Sequence, residues 1–155
     1  MVLVDDELRS FNLVQAEIHG LYHEVCAKLG ISDSASYVLY TVAAFGEGCT
    51  PRDVYRNFGT SRQTIHSAVS ALVREGCIFL QKGPGRERRI HLTEKGQALV
   101  RERIAPLIRL ENALLCGWPE EDRRDLLRLL QNYRDDLKRR LAGLEPGSDP
   151  AGPAA

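Results

Sequence analysis

The sequence predicts a mainly α-helical fold interrupted once by a short β-hairpin. Three observations carry this expectation. Apolar residues recur at intervals of three and four along most of the chain, in segments that open on capping residues and close on glycine. Only between Cys77 and Thr93 does the pattern turn to alternation, around a Gly-Pro-Gly turn. The composition, 43% hydrophobic and 27% charged over 155 residues, fits one globular domain whose core needs no disulfide or metal.

The first helix is expected over about Asp6–Leu29. Leu8, Phe11, Val14, Ile18, Leu21, Val25 and Leu29 follow the helical period, and Gly30 suits the position after its end. At 1.5 Å per residue it would be about 36 Å long, more than a domain of this size needs for its own packing. A second helix opens on Ser32-Asp33-Ser34 and stops before Gly46, with Tyr37, Val38, Val42 and Phe45 as its apolar stripe. The third is short: Thr50 caps it, Pro51 takes the first helical position, Asp53 completes a capping-box pattern and Gly59 stops it.

Thr60 or Ser61 opens the fourth helix, which runs to Glu75 with Ile65, Ala68, Val69, Leu72 and Val73 as its apolar face. Two capped helices joined by a tight turn make a helix-turn-helix. Strands follow at Cys77–Gln81 and Arg88–Thr93, joined by Lys82-Gly-Pro-Gly-Arg86. A hairpin directly behind such a helix is a wing. Thr93 then caps a helix of about 94–116 in which Pro106 should produce a kink or break. The last helix starts at Pro119 with Glu120, Glu121 and Asp122 in its first turn, and runs to about residue 142. Its stripe is Leu126, Leu127, Leu129, Leu130, Tyr133, Leu137 and Leu141. The remainder, 143–155, has the composition of a disordered tail.

Net charge is zero, but its distribution is uneven. Residues 51–90 carry eight basic groups against three acidic ones, so a basic segment of net +5 sits within an acidic frame. That asymmetry fits a module that meets phosphates. The polar face of the fourth helix, Ser61, Arg62, Gln63, Thr64, His66, Ser67, Ser70 and Arg74, has no carboxylate. Arginine can read guanine bidentately, glutamine can read adenine, and hydroxyls can fix phosphates. Arg86 at the wing tip is suited to a minor groove, and of Arg88 and Arg89, on opposite faces of a strand, one should meet phosphate while the other pairs with an acid. The start of the chain lacks the basic and apolar regions of a secretory signal, and no apolar run could span a bilayer, so a cytoplasmic location is expected.

The order of two helices, a helix-turn-helix, a wing and two further helices resembles the MarR family of winged-helix regulators. The most specific stretches are Ser61-Arg-Gln-Thr-Ile-His-Ser-Ala-Val through Arg74-Glu-Gly76, and Gly85-Arg-Glu-Arg-Arg-Ile-His-Leu-Thr-Glu-Lys-Gly96. The resemblance implies a winged helix-turn-helix fold and a single domain over 1–142. In it, residues 32–93 form the DNA-binding lobe, while 6–29 and 94–142 are dimerisation helices. It implies a homodimeric transcriptional regulator, a ligand-responsive repressor, that binds an inverted repeat in double-stranded DNA. Arg62, Gln63, Thr64, His66 and Ser67 would be its major-groove contacts and Arg86 its wing arginine; Ser61 and Arg88 join them as candidate DNA contacts from the polar helix face and the wing strand alone. The family often has an acidic residue shortly before the wing arginine, where this chain has Pro84-Gly85.

Other constellations keep alternatives open. His19, His23 and Cys26 share one face of the first helix and are candidate metal ligands, with Glu111 or Cys116 as a fourth group from a partner. Cys26 and Cys116 are candidate redox-sensing thiols. The four cysteines contain no CxxC pair, against a zinc ribbon or a secreted disulfide framework. The resemblance also implies a small-molecule effector in a crevice that Tyr22, Tyr37, Tyr40 and Trp118 could line. No catalytic triad, phosphate loop or dinucleotide fingerprint is present, so neither catalysis nor a cofactor is expected. A protein-interaction module that has lost DNA binding is the alternative from another class.

Overall fold

A computed structural model describes residues 5–144. The elements run α1 (Asp6–Lys28), α2 (Asp33–Phe45), α3 (Pro51–Phe58), α4 (Arg62–Arg74), β1 (Ile78–Lys82), β2 (Arg88–Leu92), α5 (Glu94–Leu99), a π turn (Val100–Ile104), α6 (Ala105–Cys116) and α7 (Glu120–Ala142). The chain divides into two compact units, Met1–Arg109 and Leu110–Ala155. Of the expected tail 143–155, only Gly143 and Leu144 fall within the described residues. Among those residues no helix is long and apolar enough to cross a membrane.

The core of the first unit forms where α2, α3, α4 and the hairpin meet. Val38 and Leu39 of α2, Val54 of α3, Ile65 and Leu72 of α4, Ile78 of β1, Ile90 of β2 and Ile104 of the π turn are all buried together. Each aliphatic side chain buried in this way contributes about 1.5–3 kcal/mol. Phe45, expected in the α2 stripe, is instead 68% exposed, because it ends the helix beyond the reach of the core. Val73 is likewise exposed; the buried face of α4 is Ile65, Ala68, Val69 and Leu72.

The helix α1 contributes only Cys26 to the buried set, and its Leu13, Ile18 and Leu21 are exposed. Its C-terminus is held by Arg103, whose guanidinium donates to the Leu29 carbonyl at 2.9 Å and to that of Gly30. The strands pair antiparallel with Leu80 opposite Ile90 and Lys82 opposite Arg88. Cys77 lies just ahead of β1 rather than in it, and is buried.

Pro106 perturbs its helix as expected, in a particular form. The segment 94–116 is one helical run with a π turn at Val100–Ile104, in which the Ala105 N–H donates to the Val100 carbonyl five residues back. In a regular helix the Pro106 ring would collide with the carbonyl of Glu102 and leave it without a donor. One widened turn takes up the misfit and lets the helix continue. In the second unit α7 has no buried residue, and Leu127, Leu130 and Leu137 are exposed along it.

Candidate nucleic-acid interface

The helix-turn-helix is built from strong local signals. The Thr50 hydroxyl accepts from the Asp53 N–H at 3.3 Å, while the Asp53 carboxylate accepts from the Thr50 N–H and hydroxyl, both at 2.8 Å. These bonds to the charged form hold the Asp53 pKa below the ordinary carboxylate value. Gly59 ends α3 at φ 59°, a left-handed conformation that glycine adopts without penalty. Two residues later Ser61 caps α4, its hydroxyl accepting from the Thr64 N–H at 3.0 Å and lying 2.7 Å from the Thr64 hydroxyl.

With its apolar face locked into the core, α4 leaves Arg62, Gln63, Thr64, His66, Ser67, Ser70 and Arg74 exposed, and its first turn contains no acid. The expected contact residues Ser61, Arg62, Gln63, Thr64, His66 and Ser67 are therefore brought together on one element. Arg62 lies over the ring of Tyr55 in α3, 5.5 Å from its centroid. Nothing in the sequence pattern marks Tyr55 as a partner of Arg62. It stands seven residues from Arg62 across a turn, where periodicity within a single helix carries no signal.

The wing projects from the same unit. Its turn closes through the Gly83 N–H to the Glu87 carbonyl at 3.1 Å and the Glu87 N–H to the Pro84 carbonyl at 3.2 Å. Arg86 is exposed at this tip. Arg89 lies 3.7 Å from the Glu87 carboxylate, the acid pairing expected of one of the two arginines, while Arg88 is exposed. At the root, the α2–α3 connection runs beside β2: the Gly48 N–H donates to the Ile90 carbonyl at 3.0 Å and the Ile90 N–H to the Cys49 carbonyl at 2.8 Å. The His91 ring donates from Nδ1 to Glu47 at 3.2 Å and stacks on Phe79 at 5.3 Å, while its Nε2 is buried with no partner among the described residues.

Behind the wing, Thr93 ties the hairpin to α5. Its hydroxyl donates to the carbonyls of Gly76 at 2.7 Å and Cys77 at 3.0 Å and accepts from the Gly96 N–H at 3.1 Å; its own N–H donates to the Cys77 carbonyl at 3.0 Å. Gly96 is buried against that same carbonyl.

The three metal candidates are not brought together as a set within the described residues. The Cys26 thiol is buried and donates to the Ser36 hydroxyl at 3.4 Å, whereas His23 turns to Asp33 at 2.9 Å. Among the described residues no group of three His, Cys, Asp or Glu side chains could hold a metal ion. His19 and His23 do line a cleft of about 510 Å³ with Asp33, Tyr37, Thr60 and Thr64. A second cleft of about 670 Å³ lies between the α1–α2 connection, α4 and α5, and includes Ser67. All four cysteines are free. Burial pushes the Cys26 thiol pKa up and that of Cys49 up to about 11, the reverse of what a sensor thiol needs. Cys116 is exposed. Of the aromatic crevice candidates, Tyr37 stacks on Phe58 at 4.4 Å and Tyr40 meets it edge-on at 5.8 Å, within the lobe. Tyr22 and Trp118 are exposed.

Residues 29–89 match the model of the MarR family. The fold is close to that of a MarR family regulator from Neisseria meningitidis, with a TM-score of 0.80 at 18% identity over 90% of this chain and 99% of that one. It is also similar to MepR of Staphylococcus aureus solved as a DNA complex, with a TM-score of 0.67 at 18% identity over 86% of this chain and 96% of that one. A third similar structure is the PcaV transcriptional regulator of Streptomyces coelicolor in complex with its natural ligand, with a TM-score of 0.63 at 21% identity over 87% and 98% of the two chains. No curated protein matches the chain.

Proposed function

Starting from a MarR-family segment at residues 29–89 within the winged-helix fold of MarR regulators, we propose that the protein is a transcriptional regulator that binds double-stranded DNA as a homodimer. The observation that carries this is α4: a helix fixed by four buried residues, whose outward face over residues 62–70 offers only hydrogen-bonding side chains and no carboxylate. Such a helix in a major groove would read base edges through Arg62 and Gln63, with Thr64, His66 and Ser67 against bases or phosphates. Ser61 has a capping duty already, so its share in DNA binding is a phosphate contact beside the helix N-terminus. Arg86 enters the adjacent minor groove and Arg88 meets the backbone.

The exposed aliphatic residues of α1 and of α7 support a dimer, since neither helix covers them within its own unit. A two-fold dimer would read an inverted repeat with half-sites about 34 Å apart. An effector would act as a bias between two dimer states that differ in the spacing of their α4 helices. A coupling of about 1–3 kcal/mol would change DNA affinity roughly 5–150-fold. The cleft lined by His19, His23 and Thr64 is a fitting place for it, because its wall includes the first turn of α4. Repression is the expected outcome of operator occupancy.

Fluorescence anisotropy with the DNA upstream of the protein's own coding sequence, and with a scrambled duplex, tests this at low and physiological salt. Tight binding that prefers the upstream duplex and persists at physiological salt is the expected result. No binding to either duplex at low salt would refute DNA binding and favour the protein-interaction class.

A further inference from the structure

We infer that Tyr55 is the positioning residue for base reading by Arg62: the α3 ring holds the guanidinium of α4 in place before DNA arrives. This role rests on the DNA-binding function proposed above. Arg62 is the first residue of α4, and its first turn carries no acid. A cation there meets the positive end of the helix dipole, an unfavourable place without compensation. The compensation observed is the Tyr55 ring, with the Arg62 guanidinium carbon 5.5 Å from its centroid, inside cation–π range. Tyr55 itself is half-buried and packed against the core cluster of the lobe. One side of the tyrosine is thus anchored to the rigid part of the unit, and its π face is left for the arginine.

The consequence is a difference between affinity and selectivity. A free arginine side chain samples many rotamers, and a planar fork reads guanine only when its plane is set. Holding the guanidinium against a fixed ring lowers the ordering cost of the bidentate contact and disfavours orientations that would suit other bases or phosphate. Removing the ring leaves the positive charge and its phosphate attraction in place. Loss of Tyr55 should therefore reduce discrimination at the base read by Arg62 more than it reduces overall binding. An exposed cation–π contact corresponds to about a two- to fivefold effect per half-site.

The test starts from a selection of bound duplexes from a randomised pool, followed by anisotropy titrations of the selected duplex and its single-base variants. Tyr55→Phe keeps the ring; Tyr55→Leu and Tyr55→Met remove it. The expected result is wild-type selectivity for Tyr55→Phe, and a two- to fivefold loss for the other two at only the position relaxed by Arg62→Ala. It also requires that Tyr55→Leu have no further effect in the Arg62→Ala background. An equal loss in that background, or unchanged selectivity in Tyr55→Leu, would overturn the inference. If the ring-less variants fail to fold, proton NMR of the wild type decides: Arg62 Hδ signals displaced upfield by the ring support the contact, and random-coil positions overturn it. Failure of the wild type to select any sequence would instead refute the DNA-binding function itself.

Discussion

Replacing Gly96 by alanine should destabilise the fold although alanine is the better helix former. A Cβ at this position would overlap the carbonyl oxygen of Cys77 outright, while sitting 3.0 Å from its carbon and 3.3 Å from Leu92 Cδ2. The obstacle is backbone, so it cannot rotate away. Overpacking of this kind costs about 1–3 kcal/mol. Displacing the Cys77 carbonyl also strains the bonds it receives from the Thr93 N–H and hydroxyl, each at 3.0 Å and each worth roughly 1 kcal/mol. Against this, alanine in a helix gains about 0.5–1 kcal/mol over glycine. The net expectation is a loss of about 2–4 kcal/mol, which for a chain of this size lowers the melting temperature by roughly 5–15 °C. Gly20 supplies the control, because it lies inside α1 with nothing of the described chain within 4 Å of an added Cβ. Gly20→Ala should gain about 0.5–1 kcal/mol. Urea denaturation of the three proteins at one protein concentration measures both. A Gly96→Ala midpoint at or above the wild type would refute the close approach of α5 to the Cys77 carbonyl.

Arg62→Ala should weaken DNA binding and relax preference at one base position by about 1–3 kcal/mol, whereas Arg86→Ala should weaken binding chiefly at A·T-rich flanks; titrations on flank-substituted duplexes separate them, and unchanged affinity on such flanks would remove the minor-groove role. Asp53→Asn should cost roughly 1 kcal/mol near neutral pH, because the ionised Asp53 accepts two bonds from Thr50. Since its folded pKa is depressed, that advantage is full above about pH 4 and is lost as pH falls through the folded value. Denaturation curves of the two proteins should therefore converge at low pH, and a gap that stays constant to pH 2 would contradict the charge-assisted cap. With a thiol reagent at pH 8, one cysteine should react fast, the exposed Cys116, while buried Cys26 and Cys77 and the weakly acidic Cys49 lag. Cys116→Ser should abolish the fast phase, and a second equally fast thiol would refute the burial described.

What was legible in the sequence is what short-range chemistry determines. The Thr50–Asp53 capping box, the Ser61 cap and the hairpin turn each depend on residues three to five positions apart, and each forms where the pattern placed it. Pro106 signalled a disturbed helix because it lacks an N–H and its ring collides one turn back. Whether the helix would bend, break or widen depends on what packs around it, which the proline alone does not encode. Phe45 fits the α2 stripe by periodicity, yet periodicity says which way a side chain points and not whether anything waits there. For the same reason His19, His23 and Cys26 share a helical face on paper, while burial against Ser36 takes Cys26 out of the set. The polar, acid-free face of α4 was readable because it is one continuous helix. Its Tyr55 neighbour and the Glu47–His91 contact were not, since both join separate elements.

The tethering of β2 to the α2–α3 connection turns the wing into a cantilever. Ile90 is clamped by bonds to Gly48 and Cys49, with Glu47 bracing His91 beside it, while among the described residues the backbone at 84–86 has no backbone hydrogen bonds beyond the hairpin's own. From Ile90 out to Arg86 is four residues, the outer two in the turn, a lever of at most about 13 Å. A tilt of about 10° at the clamp would swing the tip through roughly 2 Å, more than a hydrogen bond tolerates. The clamp sits on the connection that leads straight into Thr50 and the capped start of α3. A rotation of the helix-turn-helix would thus be handed to the hairpin and amplified at its end, and on the DNA-binding function proposed above wing and α4 would engage or release their grooves in step.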